Sequence, residues 1–167
     1  MSMSITVSLE PFTSEHVAQT YTWVQDPGLR DLFLMRGEVT WENHRAYFDR
    51  VLNDPNQRVY AILADGVHVG NCGLKNISHI EKEAELWIYI GDPEFRSKGI
   101  GKRATELLVG EAFGVLGLNK LCLHVADFNS AARRLYDALG FQEVHLHHDA
   151  AEWEEHGCEI IRMEVLK

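Results

Sequence analysis

Arg96-Ser97-Lys98-Gly99-Ile100-Gly101-Lys102 is the stretch on which the reading of this chain turns. Just upstream, residues 84–90 alternate, with Leu86, Ile88 and Ile90 set against Glu85, Trp87 and Tyr89, which is the pattern of a strand. Just downstream, Ile100, Ala104, Leu107, Leu108, Ala112, Val115 and Leu116 recur at helical spacing. The stretch therefore joins a strand to the start of a helix. Backbone N–H groups at a helix start have no internal partner, and the helix dipole favours an anion there. Glycines let the backbone approach a phosphate closely. Arg96, Lys98, Lys102 and Arg103 add local positive charge. The spacings GxxxxGK[ST] and GxGxxG are both absent, so neither a P-loop nor a dinucleotide fingerprint is present. A pyrophosphate held by backbone amides is the reading these residues favour. The alternative is a glycine-rich turn ahead of a cationic helix face.

Working outward, residues 5–9 alternate as a strand, and Thr13-Ser14-Glu15-His16 offers a helix start for Val17, Thr20, Tyr21 and Val24. Asp26-Pro27-Gly28 breaks that helix. A second helix starts near Thr40, with Trp41, His44, Tyr47, Phe48 and Val51 on one face. Residues 58–64 and 67–74 flank Asp65-Gly66, a strong hairpin signal. After the long central helix, which Gly117 stops, come a buried strand at 121–125, a helix at 129–139 ended by Gly140, and strands at 141–147 and 159–166. An acidic connection containing Trp153 joins the last two. The expected architecture is α/β, in the α+β sense, with a mixed, mostly antiparallel sheet.

The chain has 167 residues and is 46% hydrophobic, which suits one domain spanning 1–167 with a substantial core. No apolar run is long enough to span a bilayer, and the N-terminus lacks the basic and apolar regions of a signal peptide. A cytoplasmic location with no membrane partner is the expectation. The net charge of -9 argues against a nucleic-acid partner. It weakly favours a cationic substrate, although an acidic surface also simply keeps a protein soluble. No pair among Cys72, Cys122 and Cys158 has metal-ligand spacing. His145 and His147 would share a strand face near His148, but no third ligand stands at a sensible distance, so no metal is expected.

Three motifs in order carry a family resemblance. Arg96-x-x-Gly99-x-Gly101 resembles the pyrophosphate-binding motif of the GNAT superfamily of acetyl-CoA-dependent N-acetyltransferases. Residues 84–90 resemble that family's fourth strand, and Asn129-Ser-Ala-Ala-Arg-Arg-Leu-Tyr136-Asp-Ala-Leu-Gly140-Phe141 resembles its N-x-x-A-x-x-L-Y-x-x-x-G-F element. The resemblance runs from about Val59 to Val144, and the layout looks closest to the RimJ/RimL-like branch, which includes polyamine and amino-sugar-nucleotide acetyltransferases. It implies a sheet of six to seven strands flanked by about four helices and splayed between strands four and five. It implies acetyl-CoA as cosubstrate, with its pantetheine arm bonded like an added strand by the backbone of Ile88, Tyr89 and Ile90. The pyrophosphate would rest on the amides of Arg96, Ser97, Lys98, Gly99, Ile100, Gly101 and Lys102. Asn129 and Ala132 would meet the arm from the other side.

The implied reaction is attack of a neutral amine on a thioester. An alkylamine is mostly protonated at neutral pH, so something must accept its proton. The tetrahedral intermediate needs a backbone N–H beside its oxyanion, and the leaving thiolate needs a proton donor. Tyr136, seven residues after Asn129, is the candidate acid by resemblance; packing alone is the alternative, because it falls on its helix's buried stripe. Glu85 is the candidate base, or a carboxylate that holds an ammonium group, and an ordinary solvent-facing glutamate is the alternative. His124 is a second candidate base. The acceptor pocket of such proteins is built by the first two helices and their connection, here including Phe33, Met35, Trp41, His44 and Tyr47. Polyamine acetyltransferases are usually richer in acids in this region, where only Glu38, Glu42 and Asp49 stand. A small-molecule amine is the expected partner. A protein N-terminus and a non-catalytic acyl-CoA sensor remain alternatives, and a homodimer is compatible with the family.

Overall fold

The computed structural model describes residues 4–32, 35, 37–144 and 158–167. Seven strands form one sheet in the order β1-β2-β3-β4-β5-β7-β6. They are β1 (Val7–Pro11), β2 (Arg58–Ala64), β3 (Val67–Ser78), β4 (Glu83–Ile90), β5 (Lys120–Ala126), β6 (Gln142–Val144) and β7 (Ile160–Leu166). All neighbours are antiparallel except β4 and β5, which run parallel. The β2–β3 turn is the expected two-residue hairpin, with Asp65 and Gly66 both at positive φ (48° and 82°), which matches the twist of the flanking strands. β3 runs four residues beyond the expected 74, since Asn76 at φ 52° absorbs a register shift between Lys75 and Ser78 and pairing with β4 resumes. The histidine tract and Trp153 lie outside the described residues.

Among the described residues five α-helices accompany the sheet: α1 (Val17–Trp23), α2 (Pro27–Leu32), α3 (Trp41–Leu52), α4 (Ile100–Gly110) and α5 (Ser130–Ala138). The one absent from the sequence reading is α2. Asp26-Pro27-Gly28 does end α1, but Pro27 also opens a new helix, where its missing N–H costs nothing. The Asp26 carboxylate accepts the Gly28 N–H at 3.1 Å. Thr40 and Asn129 cap α3 and α5, accepting from Asn43 N (3.2 Å) and Ala132 N (3.3 Å). α4 continues into a wider turn at Glu111–Val115 before Gly117.

The two faces of the sheet bury different clusters. Ile100, Ala104 and Leu108 of α4 and Tyr136 of α5 pack on Leu74, Leu86, Ile88, Leu121 and Leu123. On the other face, Val17 of α1 and Phe48 and Val51 of α3 pack on Val59 and Ala61, against Trp87. The feature that positions the site is a split in the sheet. β4 and β5 pair only at Glu83↔Lys120, Ala84↔Leu121 and Glu85↔Cys122. Beyond that seam β5 stays with β7 as far as Ala126↔Ile160, while β4 stays with β3 as far as Ile90↔Gly70. Each strand keeps its antiparallel partner, so the gap falls between them.

Candidate active site

A cleft of about 170 Å³ occupies the gap. Ile88, Tyr89 and Ile90 of β4 form one wall, and Asn129, Ala132, Leu135 and Tyr136 of α5 form the other. Arg96 and Gly101 border one end, and Leu29 and Leu32 of α2 also line it. The loop beside it is shaped by two left-handed residues, Ser97 (φ 60°) and Gly99 (φ 79°). No side chain caps the N-terminus of α4, and the first backbone bond to return to Gly99 comes from Arg103 N at 3.2 Å. The amides of Ile100, Gly101 and Lys102 therefore stand without an intrahelical acceptor at the start of an eleven-residue helix. Ser97, Lys98 and Lys102 are exposed around this end, while the Ile100 side chain is part of the core.

Arg96 has work besides supplying charge. Its Nε donates to Ile90 O (3.0 Å) and an Nη to Gly91 O (3.2 Å), and it pairs with Asp26 at 3.5 Å. It thus ties the end of β4 to the α1–α2 corner. Tyr136 is 7% exposed, and its ring tilts against Phe141. Among the described residues its hydroxyl has no hydrogen-bond partner, although nearly all buried polar groups have one. Burial pushes its pKa up to about 12, so the proton stays on oxygen at neutral pH.

A larger pocket of about 580 Å³ shares Ile88 and Tyr89 with the cleft as lining residues. Thr20 of α1 and Val24 just after it, Tyr47 and Phe48 of α3, and Lys75 and Trp87 of the sheet surround it. Gly73 explains the position of the indole. It pairs with Trp87 across the strands, and a Cβ there would come within 2.7 Å of the indole, so only glycine lets the ring lie over β3. Behind the pocket, Asn71 is 0% exposed and donates to Thr20 Oγ1 and to the Tyr89 hydroxyl, each at 2.9 Å. Its Oδ1 accepts from His68 Nε2 at 2.8 Å. His44 is buried and donates to Val17 O at 3.0 Å, and burial lowers its pKa despite that bond.

Of the acceptor-pocket residues expected from sequence, Met35, His44 and Tyr47 line it. Trp41 instead stands 40% exposed with its ring on Tyr21, and Phe33 lies outside the described residues. Lys75 and Trp87 were missed as pocket residues. The available signal was Gly73, an unexplained glycine inside a strand pattern.

Glu85 belongs to neither cavity. It lines a separate 190 Å³ cavity with Cys122, His124, Lys120 and Arg162. Its carboxylate accepts a short hydrogen bond from His124 Nδ1 and pairs with Lys75 Nζ at 3.0 Å. Burial works to raise its pKa, but the bonds from His124 and Lys75 outweigh this and hold it at about 2. Cys72 is wholly buried, which pushes its thiol pKa up and suits it to packing. Among the described residues no three metal-ligating side chains come together. No helix among them is long and apolar enough to cross a membrane.

The family described as acetyltransferase (GNAT) domain matches residues 6–142. The chain belongs to that family. A spermidine N(1)-acetyltransferase of Escherichia coli (strain K12) is 36% identical over 94 residues, covering 56% of this chain and 50% of that protein. This chain thus spans half the length of that relative. An N-acetyltransferase 9-like protein of Caenorhabditis briggsae is 24% identical over 148 residues, 81% of this chain and 74% of that protein. Among solved structures, the spermidine N-acetyltransferase of Vibrio cholerae in complex with CoA and spermine superposes with a TM-score of 0.84 at 20% identity. It covers 96% of this chain and 95% of its own. The fold is therefore the one expected, with five helices in place of about four.

Proposed function

We propose that this protein transfers the acetyl group of acetyl-CoA to the primary amine of a small molecule, both bound at once. The observation that carries this is a pair of cavities that share Ile88 and Tyr89 in their linings, one beside an uncapped helix start and the other lined by aromatic side chains. Acetyl-CoA supplies the activated thioester. The residues present fit it: the amides of Ile100, Gly101 and Lys102 suit the pyrophosphate. The β4 backbone at Ile88, Tyr89 and Ile90 runs beside the arm, as an edge strand runs beside an added one. Asn129 uses its Oδ1 on Ala132, which leaves its Nδ2 to donate across the cleft.

The Tyr136 hydroxyl is the only phenol on the α5 wall, and it donates a hydrogen bond to the departing sulfur. A thiol titrates near 8.5, well below this phenol, so Tyr136 stabilises the thiolate without giving its proton up completely. The proton released by the amine completes the product thiol. Glu85 acts from behind the pocket. A carboxylate titrating at about 2 is a weak proton acceptor, so its role is to hold Lys75 in place. Before attack the ammonium form of the amine loses one proton to water, and the second proton, released from nitrogen as the amide forms, is the one that completes the thiol.

The test is thermal stability with and without acetyl-CoA, together with release of free thiol across a panel of amines and N-terminal peptides. A ligand that binds only the native state at a hundred times its Kd stabilises by about 2.7 kcal/mol. A rise in Tm together with thiol release on a small amine is the expected result. No rise at saturating acetyl-CoA would remove the proposal. A rise with no turnover on any amine would point to a sensor, and turnover confined to peptides would point to a protein substrate.

A further inference from the structure

We infer that the acceptor is a primary monoamine carried on a flat aromatic body, not a polyamine. This rests on the transfer reading above and concerns the larger pocket alone. Its floor is the Trp87 indole, which lies over Gly73 where any larger residue would collide with it. The Tyr89 ring continues that floor, stacked beside Trp87 at 6.0 Å and 23°. Tyr47 and Phe48 of α3 stand at the same pocket, edge to face with one another at 5.1 Å. A site lined by Tyr47, Phe48, Trp87 and Tyr89 suits a planar ring.

The ionic lining is sparse. Among the described residues that line the pocket, Glu38 is the one carboxylate and Lys75 the one cation. Lys75 is held at the pocket edge by Glu85, whose second oxygen is taken by His124. Among the described lining residues the charges are one of each sign. A polyamine would bring additional ammonium groups past an apolar wall, where Glu38 is the one described carboxylate and Lys75 already occupies Glu85. Desolvating an unpaired charge is costly, and one ammonium can be served by Glu38 or by an aromatic face. The sequence between Asp31 and Glu38 adds no further acid.

The experiment compares 2-phenylethylamine with spermidine in two ways. One is kcat/KM for thiol release. The other is calorimetric titration of each amine into the protein, with and without CoA, which ranks the amines even if neither is turned over. The expected result is a preference of at least about tenfold for 2-phenylethylamine in both measurements. Trp87→Leu should erase most of that preference, and Lys75→Gln should raise spermidine binding by about tenfold. Equal binding, or a preference for spermidine, would overturn the inference, as would a Lys75→Gln protein that still rejects spermidine as before. Failure of acetyl-CoA to raise Tm would overturn the transfer reading instead, and it leaves the calorimetric ranking intact as the judge of this one.

Discussion

At the scale of single residues, Tyr136 separates packing from chemistry. Its ring is buried, yet its hydroxyl has no partner among the described residues. Removing a hydroxyl that bonds to nothing costs little, so Tyr136→Phe should keep both its Tm and its affinity for CoA. Turnover should fall by about a hundredfold, the low end for losing a positioned hydrogen-bond donor to developing negative charge. Unchanged turnover would reduce Tyr136 to a packing residue. Glu85 makes a prediction in pH. Its folded pKa, about 2, lies below the ordinary value of about 4.3 for a glutamate. A depressed carboxylate stabilises the fold above its unfolded pKa, and that contribution is lost as pH falls towards 2. Glu85→Gln should therefore lower the urea midpoint at pH 6 and show a shallower loss than wild type between pH 4.5 and 2. The place of Tyr136 beside the cleft was legible because the resemblance that implied it rests on a local element, Asn129 to Phe141. Lys75 was not. Its meaning depends on Glu85 directly across the strand pair and on the pocket above, and neither can be read along one strand.

At the scale of elements, α3 and the α4 loop carry the testable content. Thr40 caps α3, which presents Tyr47 and Phe48 to the pocket. Thr40→Ala should cost about 1 kcal/mol, seen in urea unfolding, and should weaken amine binding more than CoA binding. Gly99 is left-handed, and a Cβ there meets nothing within 4 Å. Gly99→Ala should therefore cost about 1 kcal/mol from backbone strain alone and retain CoA binding. Gly99→Glu adds a charge beside the uncapped amides and should abolish it. If both variants bind CoA equally, the loop is not where the pyrophosphate rests. The elements that were easy to read, such as the β2–β3 hairpin and α4, have strong local chemistry: Asp65-Gly66 for the turn and a long helical stripe for the helix. The six-residue α2 was missed because it is too short to show a period, and because Pro27 reads equally as a stop and as a start.

At the scale of the whole molecule, the sheet consists of two sets of strands joined by three residue pairs. A ligand seated in the gap touches β4 on one side and α5 on the other. CoA should therefore slow amide exchange in both halves together, including in β7, which does not line the cleft. Protection confined to β4 and the α4 loop would mean that the halves do not respond as one. The seam itself has a mechanical consequence. The gap opens from one end only, so the three pairs act as a fulcrum and the cleft mouth is the far end of a lever. Lys120 pins that fulcrum, reaching Glu83 at 3.1 Å on β4 and Glu164 at 3.6 Å on β7. A small slackening there would be magnified along the arm, so side chains that do not line the cleft would help to set the width of its mouth.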